Sequence, residues 1–265
     1  MINTILFIDG SYFCFYRYYA LLTWWNNAKK DQPLDNPANN PEFVEKYKKT
    51  FISKLQEIKK KLNIPDAKII IGKDCPRENI WRMNIDKNYK CNRTYDDTFM
   101  GGPFFKMAYD DDLFIKGGAK MILSNPLLEA DDCIALSSIH ICNNKPEINI
   151  YIITSDTDYL QLLKYDNIHI YNLKYKEVKD TKTYHGDPDK YLFCKILSGD
   201  KTDGIPPVFD KCGPKTAEKM YNNKDLFHKK LEDPDIKQRY EINKTLIDFD
   251  NIPQYIVNDF HINFI

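Results

Sequence analysis

The sequence lacks several features that would assign it to a specialised class of protein. Its seven cysteines include no Cys-x-x-Cys pair, so neither a zinc knuckle nor a disulfide framework is expected, and the thiols should be reduced and mostly buried. A run of about 18 apolar residues, a basic leader and a small-residue cleavage site are also lacking. We therefore expect no membrane span and no signal peptide, and an intracellular, cytoplasmic protein.

A net charge is lacking as well. The 38 Lys and Arg residues balance 38 Asp and Glu residues, so binding to nucleic acid through bulk charge alone is not expected. If a subset of the acids gathers around metal, however, the remaining surface has an excess of basic residues that can attract phosphates. The richness in Lys, Asn, Ile and Tyr hints at an AT-rich and viral genome, for which the location would be the host cell cytoplasm.

Four short runs rich in β-branched residues predict strands. They are Ile5–Ile8, Lys68–Ile71, Ile148–Thr154 and Asn167–Tyr171. Helical patterns lie between them, including an apolar stripe from Glu42 to Leu62 at intervals of three and four residues. The alternation predicts an α/β fold with a mostly parallel, twisted sheet and helices on both faces.

The length of 265 residues allows one α/β core and a smaller helical extension. We predict the core at residues 1–186 and a helical lobe at 187–265, because the β patterns stop after about Asp187. Within the core, residues 93–118 carry several glycines and show no sustained periodicity, which predicts a long mobile insertion. A monomer is expected.

Aspartates stand at or just beyond the ends of three predicted strands. They are Asp9, Asp74 and Asp156. In open α/β sheets the ligand crevice lies outside the carboxyl ends of the strands. We therefore expect these three carboxylates to converge.

Further acids occur in tight local spacings. The clusters are Glu129-Ala-Asp131-Asp132, Asp156-Thr-Asp158 and Asp200-Lys-Thr-Asp203. A lone pair of this kind is more often a helix cap or a solvated face, but several carboxylates in one crevice are unstable without a cation, and hard cations such as Mg²⁺ prefer oxygen ligands. Two such ions about 4 Å apart can hydrolyse a phosphodiester without a protein nucleophile.

The order of the motifs resembles the structure-specific 5′ nuclease superfamily. This superfamily includes flap endonucleases, the 5′ nuclease domain of bacterial DNA polymerase I and phage 5′ exonucleases. The motifs are Ile8-Asp9-Gly10, Asp74 followed by Trp81-Arg82, YKCNR at 89–93, LEADD at 128–132, SDTD at 155–158 and SGDKTDGIP at 198–206. The tail LIDFDNIPQYIV at 246–257 is similar to the phage ribonuclease H member of the superfamily.

The resemblance implies roles for the acids and for two cations. It implies that Asp74, Glu129 and Asp131 hold one Mg²⁺, with Asp9 and Asp132 contributing directly or through water. The other Mg²⁺ would be held by Asp156, Asp158, Asp200 and Asp203, and Mn²⁺ could substitute. Lys90 and Arg93 would be catalytic partners of the scissile phosphate, which suits the charge that develops in an in-line displacement.

A helix start after residue 213 predicts a contact with duplex DNA. Pro214 suits the first helical position, and exposed N–H groups beside Lys215 would bind a backbone phosphate without reading sequence. In the resembling family this is a helix-hairpin-helix-like unit, often with a monovalent cation. Only the second glycine of the usual Gly-x-Gly is kept, as Gly213, which argues against a bound K⁺. The predicted DNA contacts are Arg77, Arg82, Gly213, Lys215 and Thr216.

The resemblance implies a magnesium-dependent 5′ to 3′ exonuclease and flap endonuclease. Its substrates would be DNA with a 5′ end or 5′ flap and RNA–DNA hybrids, in replication or repair, with replication proteins as candidate partners. One alternative is a PIN-type nuclease of single-stranded RNA, which leaves SGDKTDGIP without a role. Another is a structure-binding protein with weak or lost catalysis, against which the full set of acids argues.

Overall fold

Five parallel strands form the centre of the molecule in this computed structural model, which describes residues 3–93, 98–179, 184 and 186–264, with side chains up to residue 260. In the sheet they lie in the order β3-β2-β1-β4-β5. The strands are β1 (Thr4–Asp9), β2 (Lys68–Gly72), β3 (Ala119–Leu123), β4 (Asn149–Ile153) and β5 (Ile168–Tyr171). All four pairings are parallel, so the carboxyl ends of the strands share one edge of the sheet.

Helices connect the strands and continue to the C-terminus. They are α1 (Gly10–Ala28), α2 (Pro41–Lys61), α3 (Gly102–Asp110), α4 (Leu113–Lys116), α5 (Ala130–Asn144), α6 (Pro188–Ser198), α7 (Pro214–Asn222), α8 (Lys224–Lys230), α9 (Pro234–Ile247) and α10 (Gln254–Phe264). Short 3₁₀ helices include Asp158–Lys164 after β4 and Phe249–Asn251 between α9 and α10.

Strand β1 is buried on both faces. Ile5 and Phe7 belong to the core that includes α5, whereas Leu6 and Ile8 belong to the core that includes α1 and α2. This alternation follows from the two-residue period of a strand. It confirms the predicted mostly parallel sheet with helices on both faces.

All four predicted strands are present, with ends shifted by at most one residue, but β3 was missed. This edge strand follows two glycines and has an exposed lysine, Lys120. It is only five residues long, so its alternation is too short to stand out from the neighbouring loop. Its pairing with β2 identifies β3 as a strand, and it forms one edge of the sheet.

The predicted mobile insertion at 93–118 is wrong for most of its length. Helices α3 and α4 lie within it, and Phe104, Ala108, Leu113 and Phe114 are buried in the core beside α1 and α2. Residues 94–97 lie outside the described residues. The glycines suggested irregular chain, but Gly102 starts α3 and Gly117 ends α4, so here they mark helix ends.

The described secondary structure after Asp187 is helical, as predicted. Helix α10 returns to the α/β core, because Ile256 and Phe260 pack in the same cluster as Ile150 and Ile152 of β4. The division of the chain at residue 187 stays a prediction. No helix in the described part of the chain combines the length and apolar character needed to cross a membrane.

Candidate metal and nucleic-acid site

The carboxyl edge of the sheet carries an acidic cleft. Asp9 ends β1, Asp74 lies two residues after β2 and Asp156 lies three residues after β4. All three line one cleft of about 470 Å³. The cleft is also lined by Glu129, Asp131, Lys90 and Arg93. The expected convergence of the strand-end aspartates is therefore what the structure shows, and it follows from parallel strand pairing.

The start of α5 brings Glu129 and Asp131 to this cleft and buries Asp132 behind them. Glu129 is the N-cap, and its side chain and that of Asp132 form a reciprocal capping box with the backbone. The N–H of Ala130 donates to Oδ1 of Asp74 at 2.9 Å, which joins the helix start to β2. Asp131 lies in the first turn, where the helix dipole favours a negative charge. The acids at the start of α5 thus have two roles, as helix caps and as site residues.

The loop after β1 is equally constrained. Asp9 caps α1 by accepting from the N–H of Tyr12 at 2.9 Å. A Cβ on Gly10 would lie 2.6 Å from the carbonyl oxygen of Gly72, so only glycine allows β1 and β2 to approach so closely at their ends. The hydroxyl of Ser11 donates to Asp74. These contacts hold Asp9 and Asp74 side by side.

Arg82 is not a DNA contact, which corrects the prediction from the sequence. Its side chain is 3% exposed. The guanidinium donates to Asp132 at 2.6 and 2.8 Å and to Glu129 at 3.2 Å, and its Nε donates to the carbonyl oxygen of Leu246 at 2.7 Å. The indole of Trp81 adds a further hydrogen bond to Asp132 at 3.0 Å. Arg82 therefore neutralises buried acids, and its burial keeps it from a phosphate on the surface.

The same contacts bear on the predicted role of Asp132. Its side chain is fully buried and both carboxylate oxygens accept from Arg82. Direct coordination would require those hydrogen bonds to break. Of the two roles predicted for Asp132, the indirect one fits this geometry better, and it stays a prediction.

Lys90 and Arg93 enter the cleft from a tightly held loop. Lys90 has a left-handed backbone, with φ of 56°, and its N–H donates to the carbonyl oxygen of Asp203 at 2.7 Å. Arg77 braces the loop by donating to the carbonyl oxygens of Lys90 at 2.5 Å and of Arg93 at 3.2 Å. Both cations therefore have a defined position before any substrate arrives.

Their side chains pair with acids. The Lys90 ammonium contacts Glu129 and lies 3.8 Å from Asp203, and Arg93 pairs with Asp203 at 2.5 Å. Burial raises the pKa of Glu129, but Lys90 and Arg82 outweigh it and hold the pKa below its usual value. Glu129 is thus ionised and oriented.

A second group of acids lies beside the first. Ligand oxygens of Asp158, Asp200 and Asp203 lie within 4.8 Å of one another, as do those of Glu129, Asp131 and Asp132. Lys195 of α6 pairs with Asp158 and, at 3.0 Å, with Asp200. Burial opposes ionisation of Asp200, but Lys195 and the Thr202 hydroxyl prevail and lower its pKa to about 2.

Two carboxylates in the cleft carry excess negative potential. Burial, with the nearby Asp74 and Asp156, raises the pKa of Asp9 to about 7. Burial, with Asp132 and Glu129, raises the pKa of Asp131 well above its usual value. Such uncompensated carboxylates, offering oxygen donors only, fit a hard divalent cation. The donor set is therefore suited to Mg²⁺, Mn²⁺ or Ca²⁺ and unsuited to a structural zinc site.

Arg77, one of the predicted DNA contacts, lines the cleft, and its contact with DNA stays a prediction. Gly213, Lys215 and Thr216 lie away from the cleft, at the start of α7. Gly213 is the N-cap, and no side chain among the described residues caps this helix. In its first turn Lys215 is exposed and Thr216 is half-buried. Lys215 also lines a separate cavity of about 520 Å³ that reaches Asp200 and Lys195. The three residues are grouped as predicted, and their contact with DNA stays a prediction.

Several site residues were missed from the sequence. Lys195 stands one helical turn before SGDKTDGIP, and Ser11 directly follows Asp9-Gly10. A lysine on a helix and a serine after a glycine are too common to be informative alone. The proximity of Lys195 to two acidic motifs in sequence was the available signal.

Comparisons with known proteins agree with this site. Residues 4–190 match the family model of the 5′-3′ exonuclease N-terminal, resolvase-like domain. The chain is 30% identical over 239 residues to a 5′-3′ exonuclease of Buchnera aphidicola, covering 83% of this chain and 74% of that protein. It is 28% identical over 223 residues to ribonuclease H of Enterobacteria phage T4, covering 76% of this chain and 71% of that protein.

Solved structures show the same fold. A flap endonuclease of bacteriophage T5 in complex with DNA and metal ions matches with a TM-score of 0.66 at 15% identity, over 98% of this chain and 97% of that one. The T5 5′-exonuclease with divalent zinc ions matches with a TM-score of 0.66 at 16% identity, over the same shares of the two chains.

The fold and the acidic cleft define a metal-dependent nuclease of the α/β class. The chain belongs to the 5′-3′ exonuclease family. The resemblance inferred from the motifs is confirmed.

Proposed function

We propose that this protein hydrolyses phosphodiester bonds at 5′ ends and at the junctions of 5′ flaps, in DNA and in RNA–DNA hybrids. The observation that carries the proposal is a single cleft that holds both acids and basic residues. Asp9, Asp74 and Asp131 line it together with Lys90 and Arg93. A phosphodiester has the charge and the oxygen atoms to be held between metal-bound carboxylates and basic side chains.

The acids would hold two Mg²⁺ ions. Asp74, Glu129 and Asp131, with Asp9 beside them, suit one ion, while Asp156, Asp158, Asp200 and Asp203 suit the other. When bound, such a pair of ions lowers the pKa of an attacking water and stabilises the departing oxygen. Mn²⁺ has the same preference for oxygen ligands and is expected to substitute.

The basic residues would bind and orient the substrate. Lys90 is 8% exposed and faces the cleft, so it presents one ammonium as a point charge to the scissile phosphate. Arg93 has 52% of its side chain exposed, which leaves the guanidinium able to turn from Asp203 to a phosphate. Because arginine offers two parallel donors, it suits two oxygens of one phosphate.

The role of the predicted helical lobe would be to hold duplex away from the cut. Lys215 and the free helix start at Gly213 would bind a backbone phosphate without reading sequence. With one glycine in place of the usual Gly-x-Gly, K⁺ is not part of the proposal. The cellular role would be removal of primers or 5′ ends in replication or repair, inside the cell.

The test is cleavage of a 5′-labelled flap beside a blunt duplex, an RNA–DNA hybrid and single-stranded RNA. Each substrate is incubated with Mg²⁺, with Mn²⁺ and with chelator. Asp131→Asn serves as the matched control because it removes one charge at nearly constant size. Magnesium-dependent cutting at the junction or from the 5′ end by the wild type alone would support the proposal.

Other outcomes favour other functions. Cutting confined to single-stranded RNA would favour the PIN-type alternative. No cutting of any substrate, with retained binding to flap DNA, would favour a structure-binding protein. Family membership and the complete set of acids make both less favoured than the 5′ nuclease.

A further inference from the structure

Two buried polar side chains from distant parts of the α/β core reach the same short segment, residues 246–249. Arg82 donates from Nε to the carbonyl oxygen of Leu246 at 2.7 Å. Gln161 donates from Nε2 to the carbonyl oxygen of Ile247 at 3.2 Å, and its Oε1 accepts from the N–H of Phe249 at 3.0 Å. The segment is therefore held from two sides by three hydrogen bonds.

Each of these side chains also reaches one of the two acidic groups. Arg82 holds the carboxylates of Glu129 and Asp132 in the first group. Gln161 donates to the carbonyl oxygen of Asp158 at 2.9 Å, at the start of the 3₁₀ helix that carries this member of the second group. Segment 246–249 thus connects the two groups through one side chain on each side.

The connection is rigid because it is buried and its polar atoms are paired. Gln161 is 5% exposed and Arg82 is 3% exposed. Leu246, Ile247 and Phe249 are each 3% exposed or less. A buried glutamine that loses these partners would leave unpaired backbone groups, so its side chain has one favourable orientation.

A fixed connection of this kind matters for a site with two ions. Two ions must lie within about 3.5–4 Å of each other to act on one phosphate. The protein sets that spacing through the groups that orient the ligands. The two acidic groups here come from opposite sides of β1 in the sheet order. Segment 246–249 adds a buried link between them, beside the contacts of Lys90 with Glu129 and Asp203.

We propose that Gln161 and Arg82 are positioning residues that set the separation of the two acidic groups by tying each to segment 246–249. The inference rests on the proposed two-ion function. Neither residue touches the substrate in this account. Gln161 is the sharper test, because it carries no charge and its replacement leaves every carboxylate in place.

The experiment compares Gln161→Met with Asn167→Leu. Methionine keeps the length and burial of glutamine and removes all three hydrogen bonds. Asn167 is a matched control because its amide donates to the carbonyl oxygen of Ile148 at 2.8 Å, at the opposite end of β4 from the acids. Both variants lose side-chain amide hydrogen bonds to the backbone, but only the first loses a bond to a segment shared by the acidic groups.

The first readout is Mn²⁺ binding to each protein, which electron paramagnetic resonance of the free ion measures. We expect Gln161→Met to weaken at least one of the two ions by about 10- to 100-fold, the range for loss of a group that orients a metal ligand. The second readout is flap cleavage, for which we expect a lower kcat, an unchanged KM for DNA, and partial rescue at high Mn²⁺. Asn167→Leu should match the wild type in both readouts.

Identical Mn²⁺ binding by Gln161→Met and Asn167→Leu would overturn the inference, whatever the cleavage results. A wild type that binds two Mn²⁺ ions but cuts no substrate would overturn the proposed function instead. If Gln161→Met does not fold, Gln161→Asn takes its place, because it keeps the amide but is too short to reach both Asp158 and Ile247. Circular dichroism verifies the fold of each variant.

Discussion

The two acidic groups differ in how their charge is balanced. In the first group, Arg82 and Lys90 are 3% and 8% exposed and pair with Glu129 and Asp132 inside the fold. In the second group, the ion pairs of Asp158 and Asp200 within the described part of the chain are both with Lys195. Arginine forms a planar fork with fixed geometry, whereas lysine carries a point charge on a flexible stem.

The difference indicates that the first group is part of the folded core and the second is more adaptable. If the Arg82 guanidinium moved away, it would leave buried carboxylates without a partner. The first group therefore has its geometry before an ion binds. Lys195 can move away when a divalent cation takes its place. Asp203 joins the two groups, because Lys90, which contacts Glu129, lies 3.8 Å from it, and its ligand oxygen lies within 4.8 Å of those of Asp158 and Asp200.

The largest expected effect is on cleavage. Asp131→Asn should reduce kcat by about 10³-fold or more, because loss of a metal ligand removes several kcal/mol of charge stabilisation and about 1.4 kcal/mol is tenfold in rate. Asp200→Asn should reduce kcat less, by about tenfold, since Asp200 does not line the cleft and already pairs with Lys195. Single-turnover cleavage of a labelled flap measures both.

Binding of the same flap in Ca²⁺ is the control for these two variants. Retained affinity in both would show that the losses are chemical. Equal losses of kcat in the two variants would contradict the comparison, because the groups would then contribute alike.

Arg82 and Lys195 should differ in how much each contributes to the free energy of unfolding. Arg82→Ala should lower the free energy of unfolding by about 3–5 kcal/mol, since it leaves buried acids without a partner. Lys195→Ala should lower it by about 1.5–3 kcal/mol, the range for a lost hydrogen bond to a charged group. Urea denaturation with and without Mg²⁺ measures both changes.

Added Mg²⁺ is informative because it can replace one cation and not the other. It should restore most of the stability lost in Lys195→Ala and little of that lost in Arg82→Ala. If Mg²⁺ restored both variants equally, Arg82 would not be part of the folded core in the sense argued above.

The strand-end acids could be predicted from sequence because two general rules combine. Parallel strands align their carboxyl ends, and carboxylates in short spacings imply a cation. Asp9, Asp74 and Asp156 needed nothing more than their position after β-branched runs. The resemblance in motif order then assigned roles to Lys90 and Arg93 that the residues alone could not support.

The burial of Arg82 could not be predicted in the same way. Arginine is almost never fully buried without a partner, and its partners Asp132 and Leu246 lie 50 and 164 residues away in sequence. Strand β3 and helix α3 were missed because glycines at their ends resemble loop signals. In each case the contacts that fix the structure join residues far apart in the sequence, so no local sequence pattern predicts them.

A smaller effect is expected in how pH changes the stabilisation of the fold by bound metal. The pKa of Asp9 is raised to about 7 by burial and by Asp74, so the metal-free folded state holds a proton that the unfolded state loses near pH 4. Stability without metal should therefore fall as pH rises from about 4 to 7. Because a cation binds the ionised carboxylate, Mg²⁺ should raise Tm more at pH 8 than at pH 5.5.

Thermal unfolding at both pH values measures this effect. Each 1 kcal/mol of stabilisation should raise Tm by about 2–4 °C in a chain of this size. Asp9→Asn should reduce the difference between the two pH values. An equal rise in Tm at pH 5.5 and pH 8 in the wild type would show that Asp9 does not titrate in this range.

The smallest expected effect is at Lys215, which lines the cavity beside the second acidic group but not the cleft of the first. Lys215→Ala should weaken duplex binding at low salt and reduce the slope of log affinity against log salt by about 1, since one phosphate contact is lost. Lys120→Ala, on the exposed edge strand β3, is the matched control and should leave the slope unchanged. Measured at several salt concentrations, equal slopes for Lys215→Ala and the wild type would place the duplex elsewhere. Lys215 would then not bind duplex beside the second acidic group, and the adaptability of that group would matter for metal binding alone.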